Sequence, residues 1–127
     1  MDYGIKKQVN HSFTDAVARV KEELSRQGFG ILTEIDVKKT LKSKLHVEWS
    51  NYVILGACNP PFAFQALQAE KDIGLLLPCN VIVYEDGGTV YASAIRPTVA
   101  MNMVENPTLT DLAGKVEEKL KEAINSL

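Results

Sequence analysis

Residues 52–61 read YVILGACNPP, and residues 74–84 read GLLLPCNVIVY. Each segment contains a continuous run of apolar residues, and such a run is typical of a strand that is buried on both faces. We therefore predict two interior strands, one over Tyr52–Cys58 and one over residues 80–84. The first is followed by Asn and two prolines, which favour the start of a helix.

The residues that follow the second strand have the composition of a β-hairpin. Asp86, Gly87 and Gly88 tolerate the positive φ angles of a tight turn. Thr89–Ile95 is rich in β-branched and apolar residues and is predicted to be the partner strand. This central region accounts for three strands of the predicted sheet.

The flanking regions show the periodicities of further strands and of amphipathic helices. Alternation predicts a strand at residues 3–9 and another at 31–36, and we expect these two strands to pair with each other. Helical spacing of apolar residues predicts the remaining elements, which are helices at residues 13–27, 37–43, 60–69 and 109–127.

Four residues are predicted to cap these helices. Ser12, Asp36, Asn59 and Thr108 each stand just before a helical pattern, and their side chains can accept a hydrogen bond from a free backbone N–H. The expected fold is α/β of the α+β type, a two-layer domain in which helices pack on a mostly antiparallel sheet of about five strands.

Length and charge limit the class of protein. The chain has 127 residues, enough for a single domain with one hydrophobic core, which we place at residues 1–127. Its formal net charge is −2, so no overall attraction to nucleic acid or to an anionic membrane is expected. No apolar run approaches the roughly 20 residues of a membrane span, and the first residues lack the apolar core of a secretion signal. We therefore expect a cytoplasmic protein that binds neither nucleic acid nor membrane.

The two cysteines of the sequence each precede an asparagine. Cys58 and Asn59 end the first central strand, while Cys79 and Asn80 begin the second. If these strands are antiparallel neighbours, the four side chains lie at one edge of the sheet. Cys58 also precedes a predicted helix N-terminus, where the helix dipole favours a thiolate. We predict a ligand-binding site at Cys58, Asn59, Cys79 and Asn80.

Three functions are compatible with this pattern. The preferred one is a homodimeric module that binds a small ligand or a soft metal at the two Cys-Asn pairs. The second is a thiol enzyme or sulfur carrier that uses Cys58 as its nucleophile. The third is a structural dimer whose interface is formed by the apolar helix at residues 60–69 and the leucine-rich segment at 72–78, with the cysteines serving only as small buried hydrophobic residues.

Several kinds of enzyme site are not indicated. Gly28 and Gly30 follow a helix instead of opening one, so they do not form a phosphate-binding loop. His11 and His46 are the only histidines, and neither has the spacing of a metal site or of a catalytic triad. Two thiols alone are an incomplete zinc site. We expect binding rather than catalysis, and the sequence identifies no particular cofactor.

Three short motifs resemble a known family. They are Glu34-Ile35-Asp36-Val37, Leu55-Gly56-Ala57-Cys58-Asn59-Pro60 and Gly74-Leu75-Leu76-Leu77-Pro78-Cys79-Asn80-Val81. Together they look like the domain-of-unknown-function family 302, and the resemblance spans nearly the whole chain. It implies an α/β fold and homodimers, and it implies no particular biochemical activity.

Overall fold

The computed structural model describes residues 2–127, so Met1 of the predicted domain lies outside the described residues. The strands are β1 (Gly4–Val9), β2 (Gly30–Asp36), β3 (Tyr52–Cys58), β4 (Cys79–Asp86) and β5 (Thr89–Ile95). The helices are α1 (Phe13–Arg26), α2 (Val37–Leu45), α3 (Pro60–Ala69), α4 (Pro97–Ala100) and α5 (Pro107–Asn125), with a 3₁₀-helix at Lys71–Leu76 between α3 and β4.

The five strands form one sheet in the order β1-β5-β4-β3-β2, and every neighbouring pair is antiparallel. The predicted α/β class and antiparallel sheet are therefore confirmed. The predicted hairpin is also confirmed, because Asp86 pairs with Thr89 across a turn in which Gly87 and Gly88 have φ angles of 57° and 82°. Two successive positive φ angles are the signature of a type I′ turn.

The predicted pairing of the first two strands is wrong. β1 pairs with β5 and β2 pairs with β3, so they form opposite edges of the sheet. Four antiparallel steps separate β1 from β2, so these two edge strands run parallel to each other. Parallel strands cannot be joined by a tight hairpin and need a crossover connection. Helix α1 is that crossover, and it packs on the sheet between the end of β1 and the start of β2.

Helices α1 and α5 pack together on one face of the sheet and bury its main core. Val53, Val81 and Val83 point into this core from the central strands. A second, smaller hydrophobic cluster lies where α3 and the 3₁₀-helix meet the first half of α5, and its buried members are Ala66, Ile73, Leu109 and Leu112. The opposite face of the sheet carries a row of tyrosines.

The caps show where local patterns succeed and where they fail. Ser12 accepts a hydrogen bond from the Asp15 N–H and Asp36 accepts one from the Lys39 N–H, as predicted. The prediction for Thr108 is wrong, because Asn106 is the N-cap of α5 and its Oδ1 accepts from the N–H groups of residues 108 and 109. Asn59 occupies the N-cap position of α3, but its side chain does not cap the helix.

Most of the leucine-rich segment at residues 72–78 lies in the 3₁₀-helix, and only part of the segment is covered. Leu76 and Leu77 pack against the second cluster, whereas the side chain of Leu75 is 87% exposed. The prediction that the whole segment is covered therefore does not hold within this chain. Within residues 2–127, no helix has both the length and the apolar character that crossing a bilayer requires.

Candidate functional site

A cavity of about 290 Å³ lies between the two hydrophobic clusters. Its walls come from the sheet, from α3 and α5, and from the segment that leads into β4. Three of the helix residues that line it are small, namely Ala63 and Ala66 of α3 and Ala113 of α5. Larger residues at these three positions would fill part of the gap, so the alanines help to keep the cavity open.

Both cysteines line this cavity. β3 and β4 are antiparallel neighbours, and Cys79 pairs with Ala57, the residue before Cys58. The antiparallel pairing of β3 and β4 thus places both cysteines at the same end of the two strands, and both are free thiols. Burial, together with the nearby Cys58, raises the pKa of Cys79 from 9.0 to about 11. Cys79 is consequently a protonated, weakly polar wall residue at neutral pH.

Asn59 also lines the cavity, and its side chain is held from outside α3. Its Nδ2 donates to the carbonyl oxygen of Gln27 at 3.1 Å, and the residue is only 8% exposed. Gly28 fits against the same amide, because an added Cβ would lie 3.2 Å from Nδ2 and the φ angle of Gly28 is 86°. The Asn59 amide thus ties the turn before β2 to the edge of the cavity. Its carbonyl oxygen accepts no capping hydrogen bond from α3.

Asn80 does not belong to this cluster. It follows Cys79 directly in β4, and successive residues of a strand point to opposite faces. Asn80 is exposed and lines a recess on the other side of the sheet, together with Ile82 and Tyr84. The structure therefore brings together three of the four predicted site residues.

The surroundings of Cys58 offer little stabilisation to a thiolate or a metal ion. Pro60 and Pro61 occupy the first two positions of α3 and have no N–H groups, while the Ala63 N–H is donated to the carbonyl oxygen of Asn59. The helix end therefore has few free donors for an anion. Residues 2–127 contain no group of three or more His, Cys, Asp or Glu side chains that could hold a metal ion.

A buried carboxylate that the sequence did not reveal supports the cavity wall. Glu117 of α5 accepts hydrogen bonds from the Thr98 N–H at 3.1 Å and the Thr98 hydroxyl at 2.6 Å, and its Oε2 lies 3.4 Å from Nε of Arg96. Burial raises the pKa of Glu117, but the bonds from Thr98 and the charge of Arg96 outweigh it and lower the pKa. These bonds fix Pro97, which lines the cavity. The signal in the sequence is that Glu117 lies four residues after Ala113, on the buried stripe of α5.

A second feature missed from the sequence is the tyrosine row on the opposite face. Tyr52, Tyr84 and Tyr91 are aligned across β3, β4 and β5 by the strand register. The available signal was the hairpin, because Tyr84 and Tyr91 are equally far from its turn. Neither the row nor Asn80 contacts the cavity lined by the cysteines.

Comparison with known proteins places the chain in a family. A crystal structure of an uncharacterized conserved protein DUF302 from Bacillus stearothermophilus is similar to it, with a TM-score of 0.92 and 28% sequence identity over 98% of each chain. No curated protein matches the sequence. The model of the family described as Domain of unknown function DUF302 matches residues 5–127. The chain therefore belongs to the DUF302 family.

Proposed function

We propose that this protein is a binding module for a small apolar molecule, which occupies the cavity between the two hydrophobic clusters. One observation carries the proposal, namely a cavity of about 290 Å³ lined by hydrocarbon side chains, one thioether, two thiols and one carboxamide. An apolar cavity of roughly 150 Å³ is enough to bind benzene. The space here suits a larger molecule, such as one with two fused rings.

The lining residues suggest how such a ligand is held. Cys58 and Cys79 contribute polarisable, weakly polar surface, and the alanines of the two helices leave the volume free. The carboxamide of Asn59 is the polar group at the edge of the cavity, and its carbonyl oxygen can accept one hydrogen bond from the ligand. We therefore retain three of the predicted site residues for this function and leave out Asn80.

This proposal is preferred to the soft-metal and thiol-chemistry hypotheses because of the thiols themselves. Both metal binding and sulfur chemistry require a thiolate. The raised pKa of Cys79 opposes ionisation, and two prolines remove donors from the helix end beside Cys58. A stoichiometric metal species that survives purification and is lost in Cys58→Ser would favour the soft-metal hypothesis instead.

The proposal is tested with naphthalene as the probe and a cavity-filling variant. Ala113→Leu places a larger side chain in the cavity, and Ala18→Leu makes the same change at an exposed position of α1. At a naphthalene concentration about ten times Kd, the midpoint of thermal unfolding should rise by about 4–6 °C in the wild type and in Ala18→Leu. It should not rise in Ala113→Leu. An equal rise in all three proteins would contradict the proposal.

We further propose that the protein forms a homodimer through α3 and the 3₁₀-helix. Phe64 and Leu75 are 64% and 87% exposed, and Met103, between α4 and α5, is 75% exposed. Leu75 and Met103 line the same recess. Exposed large apolar side chains of this kind are typical of an interaction site. The occupant proposed here is a second copy of the chain, as the apolar composition of α3 predicts.

Sedimentation velocity tests the dimer. Phe64→Asp and Leu75→Asp change exposed residues, so both variants should fold, and they should sediment as monomers. The wild type should sediment as a dimer. The control Gln68→Asp, which changes another exposed residue of α3, should also sediment as a dimer. Leu76 is unsuitable because it packs in the second cluster. A monomeric wild type, or Phe64→Asp and Leu75→Asp that remain dimeric, would refute this interface.

We also propose a cytoplasmic location. Both cysteines are free thiols, the state that a reducing compartment maintains. Fractionation of cells that produce the protein, followed by immunoblotting, should recover it with cytoplasmic markers. Recovery with membranes or in the secreted fraction would contradict this location.

A further inference from the structure

The face of the sheet opposite α1 and α5 carries an ordered aromatic row. The rings of Tyr52 and Tyr84 are stacked with centroids 5.4 Å apart and planes 14° apart, and Tyr84 and Tyr91 are also 5.4 Å apart. Lys6 of β1 reaches over this row, with Nζ 4.4 Å from the ring centroid of Tyr91 and 5.3 Å from that of Tyr84. The ammonium group is thus held in place by cation–π contacts.

A recess of about 350 Å³ lies beside the row. Ile82 and Ser93, which face each other across β4 and β5, are central to its lining, and Ser93 is only 7% exposed. Tyr52 and Tyr84 line one side, and Tyr3 from the segment before β1 contributes an exposed ring. The recess therefore combines aromatic side chains with an apolar residue and a hydroxyl group.

Polar groups converge on the same recess. Asn80 contributes a carboxamide, Ser93 a hydroxyl, and Lys6 is the one charged side chain among the lining residues that the structure describes. Lys6 takes part in none of the ion pairs seen within residues 2–127. Its positive charge is consequently available to an anion. A carboxamide and a hydroxyl nearby can donate hydrogen bonds to the same anion.

We infer that this recess is a second binding site, separate from the cavity that contains the cysteines, and that it takes a small planar aromatic carboxylate. The ring of such a ligand stacks or makes edge contacts with the tyrosines, and its carboxylate pairs with Lys6 and is hydrogen-bonded by Asn80 or Ser93. The aromatic walls and the single cation are complementary to the two halves of this ligand class.

The surrounding charges favour a small ligand over a polyanion. The net charge of the chain is −2, and Asp86 lies close enough to Lys6 to interact with its charge. Binding to a nucleic acid strand depends on several cations along a groove. One lysine beside a recess of this volume instead matches a ligand with one negative charge.

Titration of the full chain with benzoate, followed by amide NMR spectra, tests this inference. Benzoate should shift the amide signals of residues such as Lys6, Asn80 and Ser93 in a saturable way. Two comparison ligands separate the contributions, because cyclohexanecarboxylate has the charge without the planar ring and benzyl alcohol has the ring without the charge. Each should bind more weakly than benzoate to the wild-type protein.

Variants test the role of the lysine. Lys6→Met should weaken benzoate binding by up to about fivefold, the effect of removing one exposed charge pair. Lys38→Met, which removes an exposed lysine of α2, should bind as the wild type does. The inference is overturned if Lys6→Met binds equally well, if cyclohexanecarboxylate binds as tightly as benzoate, or if the shifts occur only around the cavity of Ala66 and Ala113. The comparison of ligands needs only the wild type and holds even if a variant fails to fold.

Discussion

At the scale of single residues, the state of Cys79 links the cavity to stability. The folded chain holds the Cys79 proton more tightly than the unfolded chain does, because burial raises the pKa from 9.0 to about 11. The contribution of Cys79 to the free energy of unfolding is therefore fully present below pH 9 and is lost as the pH rises from 9 through about 11. We expect the free energy of unfolding to fall by about 2–3 kcal/mol over that interval. Urea denaturation at both ends of the interval measures it, and Cys79→Ala is the control that should lack this part of the loss. Identical pH dependence in the two proteins would contradict the assignment.

Glu117 has the opposite dependence on pH. Burial raises the pKa of Glu117, but the hydrogen bonds from Thr98 and the charge of Arg96 outweigh it and lower the pKa below 4.5. The stabilisation by this carboxylate is therefore present above pH 4.5 and is lost as the pH falls through the pKa of the folded state. Glu117→Gln should cost about 2 kcal/mol at neutral pH, since it weakens charge-assisted bonds in a buried place, and it should flatten the acid dependence. Denaturation of Glu118→Gln, which changes an exposed neighbour, should match the wild type. Equal effects of the two substitutions would exclude a special role for Glu117.

At the scale of elements, alanine substitutions at two glycines are predicted to have opposite effects on stability. An added Cβ at Gly56 of β3 would collide with the Thr33 side chain and lie 2.9 Å from Cγ of Pro78, so Gly56→Ala should destabilise the protein by about 1–3 kcal/mol. Gly114 lies inside α5 with open space around it, and Gly114→Ala should stabilise by about 0.5–1 kcal/mol. Chemical denaturation of both variants checks the pair. A neutral Gly56→Ala would show that β2 and the segment before β4 are not packed as described.

The elements also show which features the sequence could predict. Strands and helices followed from periodicity, because burial of one face imposes spacing on the residues themselves. The order of the strands did not, since apolar spacing within a strand does not specify which strand lies beside it. The antiparallel pairing that predicts a shared sheet edge for Asn80 and Cys79 does not place them on one face, because neighbouring side chains of a strand point to opposite faces. Glu117 was missed because its partners, Arg96 and Thr98, come from a different part of the chain.

At the scale of the whole molecule, the cavity is a consequence of having two hydrophobic clusters. The main cluster lies under α1 and the second half of α5, and the smaller one lies under α3 and the first half of α5. The two are joined along α5, and the alanines on α3 and α5 leave space at the junction. The proposed ligand site is thus part of the fold, and the recess on the opposite face of the sheet is independent of it.

Alanine-methyl NMR during titration with naphthalene tests the central claim most directly. Ala63, Ala66 and Ala113 line the cavity, whereas Ala16 and Ala92 are buried in the main core away from it. The account predicts that the methyl signals of the three lining alanines shift and saturate at one naphthalene per chain, while those of the two core alanines change little. Saturable binding that leaves the lining methyls unshifted, or an absence of binding, would contradict the claim that the cavity is the ligand site.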